Sequence, residues 1–317
     1  MMRNFFEGSK SVRVWLAIIF ALFISLPFII SLNWLSLVTE MLIMALAACG
    51  LNLILGYTGM VNFGPAGIYA VGAYTTALLI VRTGVPFGVA FLAGPVMSAV
   101  IGVIVGWFCV RRTHVYFALL TLAFSQLIWA VVFKWRDLTG GDDGIVGIDV
   151  PEFLANITSY YYFTLVIVAI CLILLWVIVK SPFGKTLQAI RENPGRAEFI
   201  GINVRKYQLR VFVLQSFFLG VAGSLFTGFS EAVFSDYAHW IKSTDMIVIC
   251  LLGGIYNFTG PIVGSVVYIS LDKLITSYTE YWLLVLGSII VFLVLFLRSG
   301  IVGFFSEKLS LYFKDEG

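Results

Sequence analysis

The sequence predicts an all-α, polytopic membrane protein with about 8 to 10 transmembrane helices, some broken or re-entrant. Mean hydropathy is +1.00, and 60% of the residues are hydrophobic against 12% charged. Apolar runs near twenty residues recur along the whole chain, the length a helix needs to cross a hydrocarbon core of about 30 Å. Glycine and proline interrupt two of these runs, and one long polar, basic stretch separates others.

The candidate spans are 14–32, 35–55, 66–81, 86–110, 115–133, 160–179, 209–229, 245–275 and 281–297. The first follows Arg3, Lys10 and Arg13. It lacks a small-residue cleavage pattern and is too long for a signal-peptide core, so it reads as a retained span. Arg111 and Arg112 follow the fourth run, and Arg298, Lys308 and Lys314 follow the last. Lys180, Lys185, Arg191, Arg196, Arg205, Lys206 and Arg210 lie after the sixth. Lys and Arg favour the cytoplasmic side, so all these segments are expected there.

Single crossings throughout, with the N-terminus inside, would put Arg298 outside. An even number of crossings between Thr244 and Ile275 removes the conflict. The stretch Gly253-Gly254-Ile255-Tyr256-Asn257-Phe258-Thr259-Gly260-Pro261 supplies the break. Two half-helices entering and leaving on one side are therefore expected there.

A second break is expected at Gly56-Tyr57-Thr58-Gly59-Met60-Val61-Asn62-Phe63-Gly64-Pro65. Both breaks carry Asn-Phe followed within three residues by Gly-Pro, a faint internal repeat. Corresponding interruptions in two halves of a membrane protein point to a pathway near the midplane, because unwound backbone is tolerated only where it is buried or lines a cavity. The alternative is close helix packing at glycine. Under the pathway reading, Thr58, Asn62, Asn257 and Thr259 offer polar side chains at unwound backbone.

The rest of the polar chain is organised around one domain, 1–317. The external loop 134–158 carries Thr139-Gly140-Gly141-Asp142-Asp143-Gly144. Its paired carboxylates sit among glycines with no histidine, which favours a solvated turn over metal or acid–base chemistry. Cys49, Cys109, Cys171 and Cys250 are dispersed singly and read as packing residues. Gly184-Lys185-Thr186 resembles the end of a phosphate loop, but Val179 stands where its first glycine belongs. No nucleophile elbow or histidine-based metal motif occurs, so no catalytic residue, metal, cofactor or nucleic-acid partner is expected. Glu40, Asp245 and Asp272 are the ionisable groups in or beside apolar runs, too few for a proton relay.

The cytoplasmic loop 180–208 carries Leu187, Ile190, Ala197 and Phe199 between charges, with Asn193-Pro194 in the middle. Two short helices are expected, Asn193 capping the second and Pro194 at its first position. A helical knob with an apolar face and basic rim suits a groove on a soluble protein. Membrane lipid is the alternative partner, since anionic headgroups require only charge.

Several blocks resemble the permease subunits of ATP-binding cassette importers for branched-chain amino acids, a family that also includes urea and short-amide transporters. They are Gly56-Tyr57-Thr58-Gly59 through Gly72-Ala73-Tyr74; Ser181-Pro182-Phe183-Gly184-Lys185 with Ala189-Ile190-Arg191-Glu192-Asn193 and Gly201-Ile202-Asn203; and Leu252-Gly253-Gly254 with Gly260-Pro261 and Gly264. Thr139-Gly140-Gly141 with Gly144-Ile145 adds a weaker match. The resemblance implies a multi-pass subunit of a bacterial or archaeal inner membrane, with ATP hydrolysed elsewhere. It further implies two ATP-binding cassette subunits, a second related permease subunit and an extracytoplasmic substrate-binding protein. By that analogy Gly184, Arg191, Glu192 and Gly201 contact the ATPase. Met60, Asn62 and Pro65 stand where this subunit type is expected to carry Gln, Ser and His, and Asn62-Phe63 is closer to the sister subunit. The rival classes are an ion-coupled secondary transporter and a membrane scaffold.

Overall fold

The computed structural model describes residues 23–111, 114–281, 284–285, 287–289, 291–292 and 299–304. Residues 14–22 of the first predicted span and much of the last lie outside the described residues. Long helices follow in chain order: α1 (Leu32–Leu55), α2 (Pro65–Thr83), α3 (Phe87–Cys109) and α4 (His114–Lys134). A single turn, α5 (Arg136–Thr139), precedes α6 (Ile157–Lys180). The basic loop after α6 folds into α7 (Pro182–Glu192) and α8 (Pro194–Phe199), followed by α9 (Val204–Ser230). Two shorter helices, α10 (Trp240–Gly253) and α11 (Gly260–Thr276), complete the described set. Among the described residues, six helices, α1–α4, α6 and α9, are long and apolar enough to cross a membrane.

The expected pair of half-helices is present as α10 and α11. Backbone at Gly253 meets Gly260, Gly264 meets Ile249, and Tyr268 reaches Asp245, so the two run antiparallel as a hairpin. Both ends of the hairpin therefore lie on one side, the even crossing that the charge distribution requires. Glycine is needed at the contact. A Cβ on Gly264 would stand 2.0 Å from the Ile249 carbonyl oxygen, and one on Gly253 would stand 1.8 Å from that of Gly260.

Helices α2, α3 and α9 form the tightest part of the bundle. Gly72 of α2 abuts Gly220 of α9, which in turn abuts Pro95 and Ser98 of α3. Small residues let these backbones approach, the usual basis of helix association in lipid. The Thr76 hydroxyl lies 2.8 Å from that of Ser224, satisfying polar atoms that hydrocarbon cannot. α1 packs into the same core, with Ile43, Leu46, Leu51 and Ile54 fully buried.

The glycine-rich segment after α5 turns, as its glycines predict. Gly140, Gly141, Gly144 and Gly147 all have positive φ. A short antiparallel ladder joins β1 (Ile145–Val146) to β2 (Ala232–Val233), tying this loop to the one preceding α10. All four cysteines are free and buried.

Candidate functional site

Both predicted breaks fall where the helices stop. α1 ends at Leu55 and α2 starts at Pro65; α10 ends at Gly253 and α11 starts at Gly260. In the first break the amides of Thr58 and Met60 still reach back to the Ile54 carbonyl, and the chain turns away at Gly59, whose φ is +71°. A helix beginning inside the protein leaves its first amides without partners. Pro65 has no amide to satisfy. The amides of Phe63, Ala66 and Gly67 donate to the hydroxyls of Thr121, Ser243 and Ser125, respectively. Side chains of α4 and α10 thus hold the unwound entry to α2.

The two breaks touch. A Cβ on Gly56 would lie 2.0 Å from the Ile255 carbonyl oxygen, so the first unwound segment lies against the second. Arg191, at the end of α7, joins them. Its Nη1 donates to the Gly56 carbonyl at 2.7 Å, while its guanidinium lies 5.0 Å from the centre of the Tyr256 ring. Its Cγ is also 2.9 Å from where a Gly59 Cβ would stand. One planar cation therefore serves a carbonyl from one break and an aromatic face from the other, which a lysine ammonium does poorly.

The other residues predicted for ATPase contact occupy different environments. Gly184 is buried at the elbow between α6 and α7, where a Cβ would meet the Val179 carbonyl oxygen at 2.1 Å. Glu192 is exposed, and Gly201 is exposed with φ of +88°. Asn193 caps α8 through its side chain, accepting from the Arg196 amide, with Pro194 at the first helical position. The apolar face of the loop divides. Leu187, Ile190 and Ala197 are buried against this chain itself, whereas Phe199 is 93% exposed and Ile200 75%.

The four predicted path residues are not equivalent. Thr58 is buried and donates its hydroxyl to the Ile54 carbonyl. Asn62 is buried, with Oδ1 accepting from the Gly64 amide at 2.9 Å and Nδ2 without a protein partner. Asn257 is half-buried and Thr259 exposed. Other buried amide atoms share the unpaired state of the Asn62 Nδ2: Asn52 Oδ1, Gln126 Nε2 and both side-chain polar atoms of Gln215. Such atoms are costly in a low-dielectric interior unless water or a passing ligand meets them. Polar amides inside apolar runs were the available signal for Asn52, Gln126 and Gln215. The serine and threonine partners of the unwound amides had none, because the pairing is long-range.

Among the ionisable groups of the apolar runs, Glu40 ties the hairpin to α1, while Asp245 joins its two arms. Glu40 lies 3.6 Å from Lys273, and Asp245 lies 4.0 Å from Lys242 while accepting a 2.6 Å hydrogen bond from the Tyr268 hydroxyl. Asp245 and Asp272 sit within α10 and α11, toward the ends of the hairpin away from the break. No group of three or more metal-ligating side chains occurs among the described residues.

The family model described as branched-chain amino acid transport system/permease component matches residues 33–314. The chain is 24% identical to the high-affinity branched-chain amino acid transport system permease protein LivM of Escherichia coli strain K12, over 94% of this chain and 77% of that relative. It is 25% identical to the corresponding LivH protein of the same strain, over 82% of this chain and 91% of the relative. A probable branched-chain amino acid transport permease protein LivH of Methanocaldococcus jannaschii is 27% identical, over 74% of this chain and 78% of the relative. No solved structure matches. With a family match running from the first described long helix almost to the C-terminus and a multi-pass helical fold, the chain belongs to the permease components of branched-chain amino acid transport systems.

Proposed function

We propose that this chain is the membrane permease subunit of an ATP-driven importer, carrying branched-chain or related small amino acids inward across a bacterial or archaeal inner membrane. ATP is hydrolysed on two separate ATP-binding cassette subunits, a second related permease subunit completes the pathway, and an extracytoplasmic protein delivers the cargo. The observation that carries this reading is the link from cytoplasmic helix α7 through Arg191 to both unwound segments. A push on the loop is thereby felt where backbone is irregular, and such segments change conformation at low cost compared with packed helices. The branched-chain amino acid transport roles of the relatives support the permease role and the cargo class. Engagement of Glu40 and Asp245 by lysines favours ATP coupling over a proton relay.

On this reading Phe199 and Ile200 are the contact with the ATPase, an exposed apolar tip with Lys185, Arg196 and Arg205 on the same loop. Such a tip seated in a groove behaves as an interface anchor, worth about 2 kcal/mol or more. Phe199→Asp is expected to reduce ATPase recovered with the purified chain about tenfold or more, with the sister permease still recovered. Equal recovery of ATPase with the variant would contradict the assignment.

A further inference from the structure

A cavity of about 340 Å³ opens between the first break and the cytoplasmic loop. Thr58, Gly59 and Met60 form its side toward the break, and Arg191 stands beside them. Its inner wall is apolar: Val110, Phe117, Ile190 and Val204 are all buried and line it. Its mouth holds Arg205 of α9 and Glu198 of α8. These two opposite charges border one cavity yet make no ion pair within 4.0 Å; among the described residues that criterion is met by Lys242–Asp245 and Lys273–Glu40. Arg111, also at the rim, has its guanidinium over Trp107 at 3.5 Å.

Opposite charges held apart above an apolar wall match one ligand chemistry: an α-amino acid with a hydrocarbon side chain. We infer that this cavity is a cytoplasm-facing amino-acid site, where Arg205 takes the carboxylate, Glu198 the ammonium, and the buried aliphatic and aromatic wall the side chain. The inference rests on the importer reading for its cargo. Arg111, Arg191 and Arg205 would also draw a phosphate or lipid phosphodiester, but such a ligand leaves the Glu198 carboxylate without a cation of its own and the apolar wall unused, so the amino acid satisfies more of the lining. The volume lies within the range of small-ligand sites.

The site spans α8, α9 and the break, so an occupied cavity ties together parts that must move relative to one another during transport. Binding that favours one arrangement holds the equilibrium there. Cargo accumulated in the cytoplasm therefore slows its own import.

The test uses the assembled transporter in proteoliposomes, with ATP inside and binding protein outside, and compares initial uptake of labelled L-leucine into empty vesicles and vesicles preloaded with unlabelled L-leucine. Internal L-leucine is expected to slow uptake, whereas 4-methylpentanoate, 3-methylbutylamine and inorganic phosphate at the same concentration are not. Glu198→Gln and Arg205→Gln, each scaled to its own rate in empty vesicles, should need about tenfold more internal L-leucine for the same fractional slowing, the loss of one charge-assisted bond. Lys206→Gln, next in sequence but outside the cavity lining, should behave as wild type. Absence of slowing in the wild type, slowing unchanged in both cavity variants, or slowing reproduced by phosphate would each overturn the inference. Equilibrium binding of L-leucine to the full chain in nanodiscs, compared between wild type and Glu198→Gln, decides the matter independently of transport. If uptake into empty vesicles fails to depend on ATP, the importer reading fails, while this binding measurement still decides the site.

Discussion

Replacement of Arg191 by Glu is expected to abolish leucine uptake in proteoliposomes, while the protein still inserts and purifies in wild-type amount. The guanidinium of Arg191 makes a 2.7 Å bond to the Gly56 carbonyl and lies 5.0 Å from the Tyr256 ring. A carboxylate at this position faces a carbonyl oxygen and the negative face of an aromatic ring, so both attractions become repulsions. Arg191→Gln removes the charge alone and should lower uptake about tenfold, in line with the roughly 1.5–3 kcal/mol of a hydrogen bond from a charged donor. Arg191→Lys should recover little of this, because an ammonium cannot reach the carbonyl and lie flat on the ring together. The informative readout is the number of leucines moved per ATP hydrolysed, which should fall in all three variants. A residue needed only for folding would lower both rates together. Uptake by Arg191→Glu at the wild-type rate would remove Arg191 from the mechanism.

Gly56→Val should damage both stability and transport. Any β-carbon at 56 stands 2.0 Å from the Ile255 carbonyl oxygen, and the Asn52 Oδ1 is only 2.5 Å from the same point. Backbone oxygen cannot rotate away, so the two unwound segments must separate. Overpacking of this kind costs about 1–3 kcal/mol, and separation also pulls the Gly56 carbonyl from Arg191. The expected result is a lower unfolding temperature in detergent together with uptake reduced about tenfold or more. Gly88, in α3, has nothing within 4 Å of its β-position, so Gly88→Ala serves as the matched control and should leave both properties unchanged or slightly improved. Normal stability and uptake in Gly56→Val would show that contact between the breaks is dispensable.

The architecture was legible because its signals are local or additive. Apolar length marks a span, Gly-Pro marks its interruption, and Lys and Arg mark a side. Together these were enough to require an even crossing between Thr244 and Ile275, which α10 and α11 supply. The Asn193-Pro194 helix start was equally local. The contacts inside the candidate site were not legible, because they join residues far apart in the chain. Arg191 lies among exposed basic residues in sequence, yet its guanidinium points inward to Gly56, 135 residues away. The loop's apolar residues showed no difference in kind, although Leu187, Ile190 and Ala197 pack inward and Phe199 outward. The hydroxyls of Thr121, Ser125 and Ser243 became recognisable as caps only once the unwound start of α2 was beside them. Buried Gln215 was visible as a polar residue in an apolar run, but its unpaired amide depends on the packing around it.

The central claim is that energy from ATP on separate subunits reaches the broken helices of this chain through its cytoplasmic loop. Uptake of labelled L-leucine should be measured in proteoliposomes containing the chain, its sister permease and the ATPase subunits, with binding protein outside and ATP inside. Parallel vesicles should hold this chain alone under an imposed proton or sodium gradient. The account predicts uptake only in the complete assembly with ATP, and none in the gradient-driven vesicles. Gradient-driven accumulation by the chain alone would contradict it.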